Sequence, residues 1–271
     1  MILLAQFIYG VAFTCIFKII KPAGIPKIWK VPVFSLDIAM KCSPLTLSFL
    51  ANVMSGMTAI SRVNIPVFLA FRRLTTLFLF VTDFVFLKKK SNFLEVVGVL
   101  MISFGAILAG SNDLKADFFG YFFIFVNNFV TSIHFNVVKR LSEKHPEIDS
   151  ATSSFYMSTL AIPILCVIII FEDPAAFDLF NRNMAFYFLF MLSLNTGITL
   201  TFSQNWCTVV NSPIVTSITG NVKDVALTFI SLIIFDDIIP TFWLIVGLVM
   251  SLAGAFIYSI PKLQESRVKG Q

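Results

Sequence analysis

The sequence predicts an all-α, polytopic membrane protein. Nine transmembrane helices are expected, belonging to a ten-helix design of two inverted five-helix halves whose first helix is missing. Three observations carry that expectation. Hydrophobic residues make up 57% of the 271 and charged residues only 13%, with a mean hydropathy of +0.88, which excludes a soluble domain of this length. Apolar runs recur at about 20 residues, the length a helix rising 1.5 Å per residue needs to cross a bilayer. Finally, one apolar helix pattern occurs twice, 149 residues apart.

The expected spans lie near 2–20, 38–60, 64–87, 93–111, 118–141, 151–171, 184–208, 212–235 and 240–260. The second is the weakest, because Asp37, Lys41 and Pro44 crowd its beginning. The first lacks the basic n-region and small-residue cleavage site of a signal peptide. Lys18 and Lys21 follow it rather than precede it, so it is read as a membrane helix. Connections are short, leaving one membrane domain over 1–271: a four-helix half (1–111), a five-helix half (118–260) and a tail (261–271). The 32 phenylalanines suit surfaces facing lipid.

Lys and Arg residues divide unevenly between the two sides. Lys18, Lys21, Lys27, Lys30, Lys41, Lys88, Lys89, Lys90, Lys139, Arg140, Lys144, Lys262, Arg267 and Lys269 fall on one side. Only Arg62, Lys115 and Arg182 fall on the other. The positive-inside rule makes the first side, and the C-terminus, cytoplasmic. Topology therefore explains a pI near 9.0 without a nucleic-acid partner.

VGVLMISFGAI (Val97–Ile107) matches VGLVMSLAGAF (Val246–Phe256), with Gly98 on Gly247 and Gly105 on Gly254. An offset of five helices, an odd number, inverts the second unit relative to the first. Inverted repeats with a site between them are a common transporter construction. Shifted back by 149, the second half begins about one helix before Met1.

Three bases remain inside spans: Arg72, Arg73 and Lys223. A charge at mid-membrane costs roughly 2.5–3.5 kcal/mol on insertion scales. Lys223 lies about 16 Å into its span at helical rise. The candidate acids are Asp83 and Asp224. Either these acids neutralise the bases and fix packing, or the bases meet an anionic substrate through charge-assisted contacts to phosphate oxygens. Lys223 and Asp224 are adjacent, about 100° apart on a helix, and are expected to pair poorly with each other. Arg72 and Arg73 diverge likewise, so one of them faces a cavity. Asn127, Asn128, Thr131, His134, Asn136, Tyr156, Ser203 and Gln204 offer polar groups for a base, ribose or sugar, or equally for interhelical hydrogen bonds.

No phosphate-binding loop, zinc-protease, nucleophile-elbow or EF-hand pattern occurs, and the two histidines are isolated. Cys15, Cys42, Cys166 and Cys207 show neither metal-ligand nor disulfide spacing. No catalytic residue, metal or cofactor is expected, and no enzyme.

Several motifs together carry a resemblance. They are NIPVF-x-x-FRR (Asn64–Arg73), LKK (Leu87–Lys89), GSNDL (Gly110–Leu114), GYFFIFVNN (Gly120–Asn128), Phe155-Tyr156, CT-x-x-NS (Cys207–Ser212) and TSITGNVKD (Thr216–Asp224). The chain resembles the nucleotide-sugar transporters of the drug/metabolite transporter superfamily, nearest the group carrying UDP-glucuronate, UDP-N-acetylgalactosamine and related UDP-sugars. The resemblance implies ten helices, a central cavity, and exchange of a cytosolic nucleotide sugar for a lumenal nucleoside monophosphate in a Golgi or endoplasmic reticulum membrane. It implies a substrate site of Arg72 or Arg73 with Lys223 on the diphosphate, Gly220 and Asn221 beside them, and Tyr156 and Asn127 on base or ribose. Met157 and Ser158 replace the paired asparagines of the GDP-mannose branch, and Asp224 stands where the UDP-sugar group often has asparagine. The alternatives are a non-transporting scaffold or inactive family member, and a carrier of a GDP-linked sugar or another organic phosphate. The glycines of the repeated helices permit close packing within one chain or between two, so a homodimer is compatible.

Overall fold

The computed structural model describes residues 2–20, 34–87, 92–110, 118–170, 183–234 and 241–269. These form ten α-helices, with no strand among the described residues: α1 (Ile2–Ile20), α2 (Leu36–Ile60), α3 (Ile65–Arg72), α4 (Thr75–Leu87), α5 (Phe93–Gly110), α6 (Phe118–Lys144), α7 (Ser150–Ile169), α8 (Met184–Val210), α9 (Pro213–Ile234) and α10 (Phe242–Lys269). Lys21, Lys27, Lys30, Lys88, Lys89, Lys90, Lys115 and Arg182 lie outside the described residues, as do the lysines of LKK and Ser111–Leu114 of GSNDL.

Six stretches among the described residues are long and apolar enough to cross a membrane: Ile65–Val85, Phe93–Gly110, Phe118–Lys144, Ser150–Ile169, Met184–Val210 and Phe242–Pro261. The chain is a multi-pass helical membrane protein. Helices α2 and α9 have the length but carry more polar residues, and the apolar part of α1 is Leu3–Cys15. Helix α8 buries only Leu194, Asn205 and Thr208, while Phe188 is 70% exposed. An apolar surface of that extent is stable against lipid and not against water.

Local signals set several helix ends. Asp149 caps α7, its Oδ1 accepting from the Thr152 N–H at 2.7 Å. At the start of α5 the Glu95 carboxylate accepts the Asn92 N–H at 3.3 Å, reaching back as a third-position carboxylate does. Pro213 opens α9, where a missing N–H leaves nothing unsatisfied.

The third expected span is not one helix. Helix α3 ends at Arg72 and α4 begins at Thr75, and the backbone tightens between them into i→i−3 bonds: Arg73 to Ala70, Leu74 to Phe71 and Thr76 to Arg73. No proline or glycine causes the break. Asn128 from α6 inserts instead, its Nδ2 donating to the Phe71 carbonyl at 2.9 Å. Thr75 Oγ1 lies 2.7 Å from the Arg72 carbonyl and 2.8 Å from Asn128 Oδ1, its one proton shared between them. A side chain entering the ladder is a recognised cause of such breaks. Helix α10 also runs past the expected end at 260, to Lys269.

The chain divides into two compact units, Met1–Leu50 with Val137–Asn211, and Ala51–Asn136 with Ser212–Gln271. Each draws residues from both sequence halves. In the first unit α1 packs on α7 and α8, with Phe7, Leu50, Ala161 and Leu165 forming one core and Ala39, Cys42, Ile148 and Tyr156 another. Lys139 donates to the Val209 and Asn211 carbonyls at 2.9 and 3.0 Å, a cation placed at the C-terminus of α8.

In the second unit the two repeated segments pack against each other. A Cβ at Gly98 would lie 2.8 Å from the Gly254 carbonyl oxygen, and one at Gly105 would lie 2.6 Å from that of Gly247. The reciprocal approaches, Gly254 to Gly98 and Gly247 to Gly105, are 2.7 and 2.5 Å. Between them Ser251 Oγ donates to the Ile102 carbonyl at 3.3 Å. The pairing is antiparallel, and exchanging equivalent positions of the repeat carries one glycine contact onto the other.

Candidate functional site

Helix α9 has two different polar faces. Ser217, Asn221, Asp224 and Thr228 recur at spacings of four, three and four, which on a helix places them in one stripe. All four are buried. The stripe meets the α3–α4 break in antiparallel order. Thr76 Oγ1 lies 2.8 Å from Ser217 Oγ and accepts the Asn221 amide at 2.8 Å. Further along, Arg73 Nη2 donates to Thr228 Oγ1 at 3.4 Å, and that hydroxyl donates its proton to the Asp224 carbonyl at 2.7 Å.

The second face is open. A Cβ at Gly220 would meet nothing within 4 Å. One turn on, Lys223 keeps 36% of its side chain exposed. Its Nζ lies 3.1 Å from Asp224 Oδ1, so the adjacent pair is in contact although it was expected to pair poorly. The lysine arm is long enough to reach back across the 100° between them. The contact lacks hydrogen-bond alignment, since Oδ1 has no hydrogen-bond partner, so it is an electrostatic contact between ions.

The two neighbouring arginines part company. Arg73 is fully buried, with Nε and Nη1 making no hydrogen bond. Arg72 is half-buried, its guanidinium 5.8 Å over the Phe68 ring. Of the bases inside the spans, Arg73 is enclosed and Lys223 is open.

The remaining expected site residues are held by the protein. Asn127 is buried, its Nδ2 contacting the Asn52 carbonyl at 2.7 Å, Asn52 Oδ1 at 2.8 Å and Ser55 Oγ at 3.2 Å. Tyr156, in the other unit, is fully enclosed. It stacks on Phe34 at 5.6 Å and its hydroxyl accepts the Ser35 N–H at 2.8 Å. Arg73, Asn221 and Asp224 are thus brought together with α3 and α4, while Asn127 and Tyr156 serve other contacts. Sequence reasoning missed Thr76, Ser217 and Thr228, although the four-three-four spacing on α9 was there to be counted. Asp83, the other candidate acid, is buried on α4.

Because nothing lies near a Cβ at position 220, Gly220→Ala is expected to raise stability by about 0.5–1 kcal/mol, the helix-propensity difference. Thermal melting in detergent reads this, and a lowered Tm would mean that the face is filled.

Apolar spans around a buried arginine and a lysine on an open helical face define a polytopic membrane protein. The chain belongs to the Triose-phosphate Transporter family, whose profile matches residues 1–259. It is 30% identical over 85% of its length to the UDP-galactose/UDP-glucose transporter 7 of Arabidopsis thaliana, covering 73% of that protein. To the human nucleotide sugar transporter SLC35D2 it is 29% identical over 86% of its length, covering 70% of that chain. It spans 60% of a Dictyostelium discoideum protein named as a UDP-sugar transporter, at 31% identity over 85% of this chain. A solved crystal structure matches 96% of this chain and 86% of its own, with TM-score 0.66 and 13% sequence identity, a likeness of fold alone.

Proposed function

We propose that the chain is a nucleotide-sugar carrier that exchanges a cytosolic UDP-sugar for lumenal UMP by alternating access. The observation that carries the reading is Lys223, half-open on α9 beside the empty face at Gly220, with an anion contact only to its own neighbour among the described residues. An ammonium so placed suits a phosphate group, and the relatives at about 30% identity are named for UDP-sugars. Arg72, the less enclosed of the two arginines, is the second cation of this reading. Arg73 has a structural task instead. Asn127, Asn221 and Tyr156 contribute to substrate only by exchanging bonds that they now make within the protein. The reciprocal glycine contacts of α5 and α10 support a ten-helix inverted repeat. A Golgi or endoplasmic reticulum membrane, with the C-terminus cytoplasmic, accords with the charge asymmetry of the sequence.

The test uses the purified chain in liposomes preloaded with UMP, offered labelled UDP-, GDP- and CMP-sugars. A UDP-sugar is expected to enter faster when UMP is inside. Lys223→Ala is expected to lower that uptake at sub-saturating substrate about 30-fold, equivalent to about 2 kcal/mol of charge-assisted contact. Uptake unaffected by Lys223→Ala would remove the residue from the site. Uptake of a GDP-sugar alone would move the chain towards the Scheffersomyces stipitis GDP-mannose transporter, to which it is 22% identical over 86% of its length. A folded chain that takes up nothing would favour a scaffold.

A further inference from the structure

We propose that Asp224 is the carrier's internal counter-anion: it occupies Lys223 when no substrate is bound, is displaced from it by an incoming phosphate, and then turns to Arg73. The proposal rests on the reading of Lys223 as the phosphate-binding group. It follows from an asymmetry in the triad. Asp224 is 5% exposed at its side chain and Lys223 is 36% exposed, so the lysine can swing outward while the carboxylate stays enclosed. The Lys223–Asp224 contact at 3.1 Å has no hydrogen-bond alignment to hold it, and a phosphate oxygen offering aligned charge-assisted bonds can replace it. Arg73 provides for the carboxylate left behind. Its Nη2 donates to Thr228 Oγ1, whose own proton goes to the Asp224 backbone carbonyl, and its Nε and Nη1 are buried without partners. A buried carboxylate losing one cation therefore has a second cation with unused donors held against its own turn of α9.

One consequence concerns the empty protein. With Lys223 neutralised from within, the substrate-free site carries one charge less than its bases alone would give it. A compensated charge costs less to enclose within the bilayer core than an uncompensated one. Asp224 therefore weakens substrate binding and eases return of the empty carrier.

The experiment measures equilibrium UMP binding to purified protein, and efflux of preloaded UMP into ligand-free buffer against efflux into UMP, for wild type, Lys223→Ala, Asp224→Asn and Arg73→Gln/Asp224→Asn. The double variant guards against misfolding, since it removes the uncompensated buried arginine together with its partner. Both Asp224 variants are expected to bind UMP about fivefold more tightly, the worth of a partly exposed ion pair removed from competition. Their efflux into ligand-free buffer is expected to fall relative to exchange. A merely structural role would weaken binding instead. Unchanged or weaker UMP binding in the double variant, with binding lost in Lys223→Ala, would overturn the counter-anion role and leave the phosphate site standing. Binding that survives Lys223→Ala, or absence of UMP binding by the wild type, would overturn the site reading and this proposal with it.

Discussion

Arg73→Met is expected to destabilise the protein by about 1.5–3 kcal/mol, the worth of a buried hydrogen bond given by a charged donor. Arg72→Ala, one residue away, is expected to change stability by no more than about 1 kcal/mol. Arg73 is fully buried and docks on Thr228, while Asp224 beside it is itself buried. Arg72 makes a cation–π contact with Phe68 at 5.8 Å, an interaction worth about 0.5–1 kcal/mol at exposed sites. Arg73→Lys is not conservative here, because an ammonium does not reproduce the planar guanidinium that donates to Thr228. Thermal melting of the variants in one detergent decides between the pair, and a chain that tolerates loss of Arg73 but not of Arg72 would reverse the assignment.

Gly105→Leu is expected to be similarly damaging, costing about 3 kcal/mol or more, since it overpacks a site that backbone rather than flexible side chains encloses. A Cβ at residue 105 would lie 2.6 Å from the Gly247 carbonyl oxygen and 2.8 Å from the Ser251 nitrogen. Neither atom can move without parting α5 from α10. Small residues are what allow membrane helices to approach this closely, and the association lost is mostly van der Waals packing. Gly247→Leu meets the Gly105 carbonyl and Ala109 from the other side and is expected to cost as much. Gly220 serves as the internal control, since it has the same residue type in a membrane helix and nothing within reach of a Cβ. If Gly105→Leu melted no lower than Gly220→Ala, the close crossing of α5 and α10 would be wrong.

These two cases show what a sequence can and cannot specify. The repeated VG and GA pairs marked α5 and α10 as equivalent, because helix packing through glycine leaves a periodic trace. That the two segments face each other was not legible, since periodicity orients a face without naming its neighbour. The NIPVF-x-x-FRR stretch reads as one span, since its apolar run is unbroken by glycine or an interior proline. The break at Arg73–Leu74 comes from Asn128, more than fifty residues away in the chain, entering the hydrogen-bond ladder. On α9 the buried stripe of Ser217, Asn221, Asp224 and Thr228 was countable from spacing alone.

By itself, the sequence determined that this chain lives in a membrane, is helical and carries three bases where lipid tolerates none uncompensated. Composition and the length of apolar runs decide those things, because the bilayer's thickness and its intolerance of unpaired backbone act on every residue alike. Only the tertiary structure decided which arginine is enclosed, which lysine stays open, and that Lys223 reaches back to Asp224. Adjacent residues on a helix point about 100° apart, and which direction meets a partner or open space depends on neighbouring helices rather than on the residues themselves.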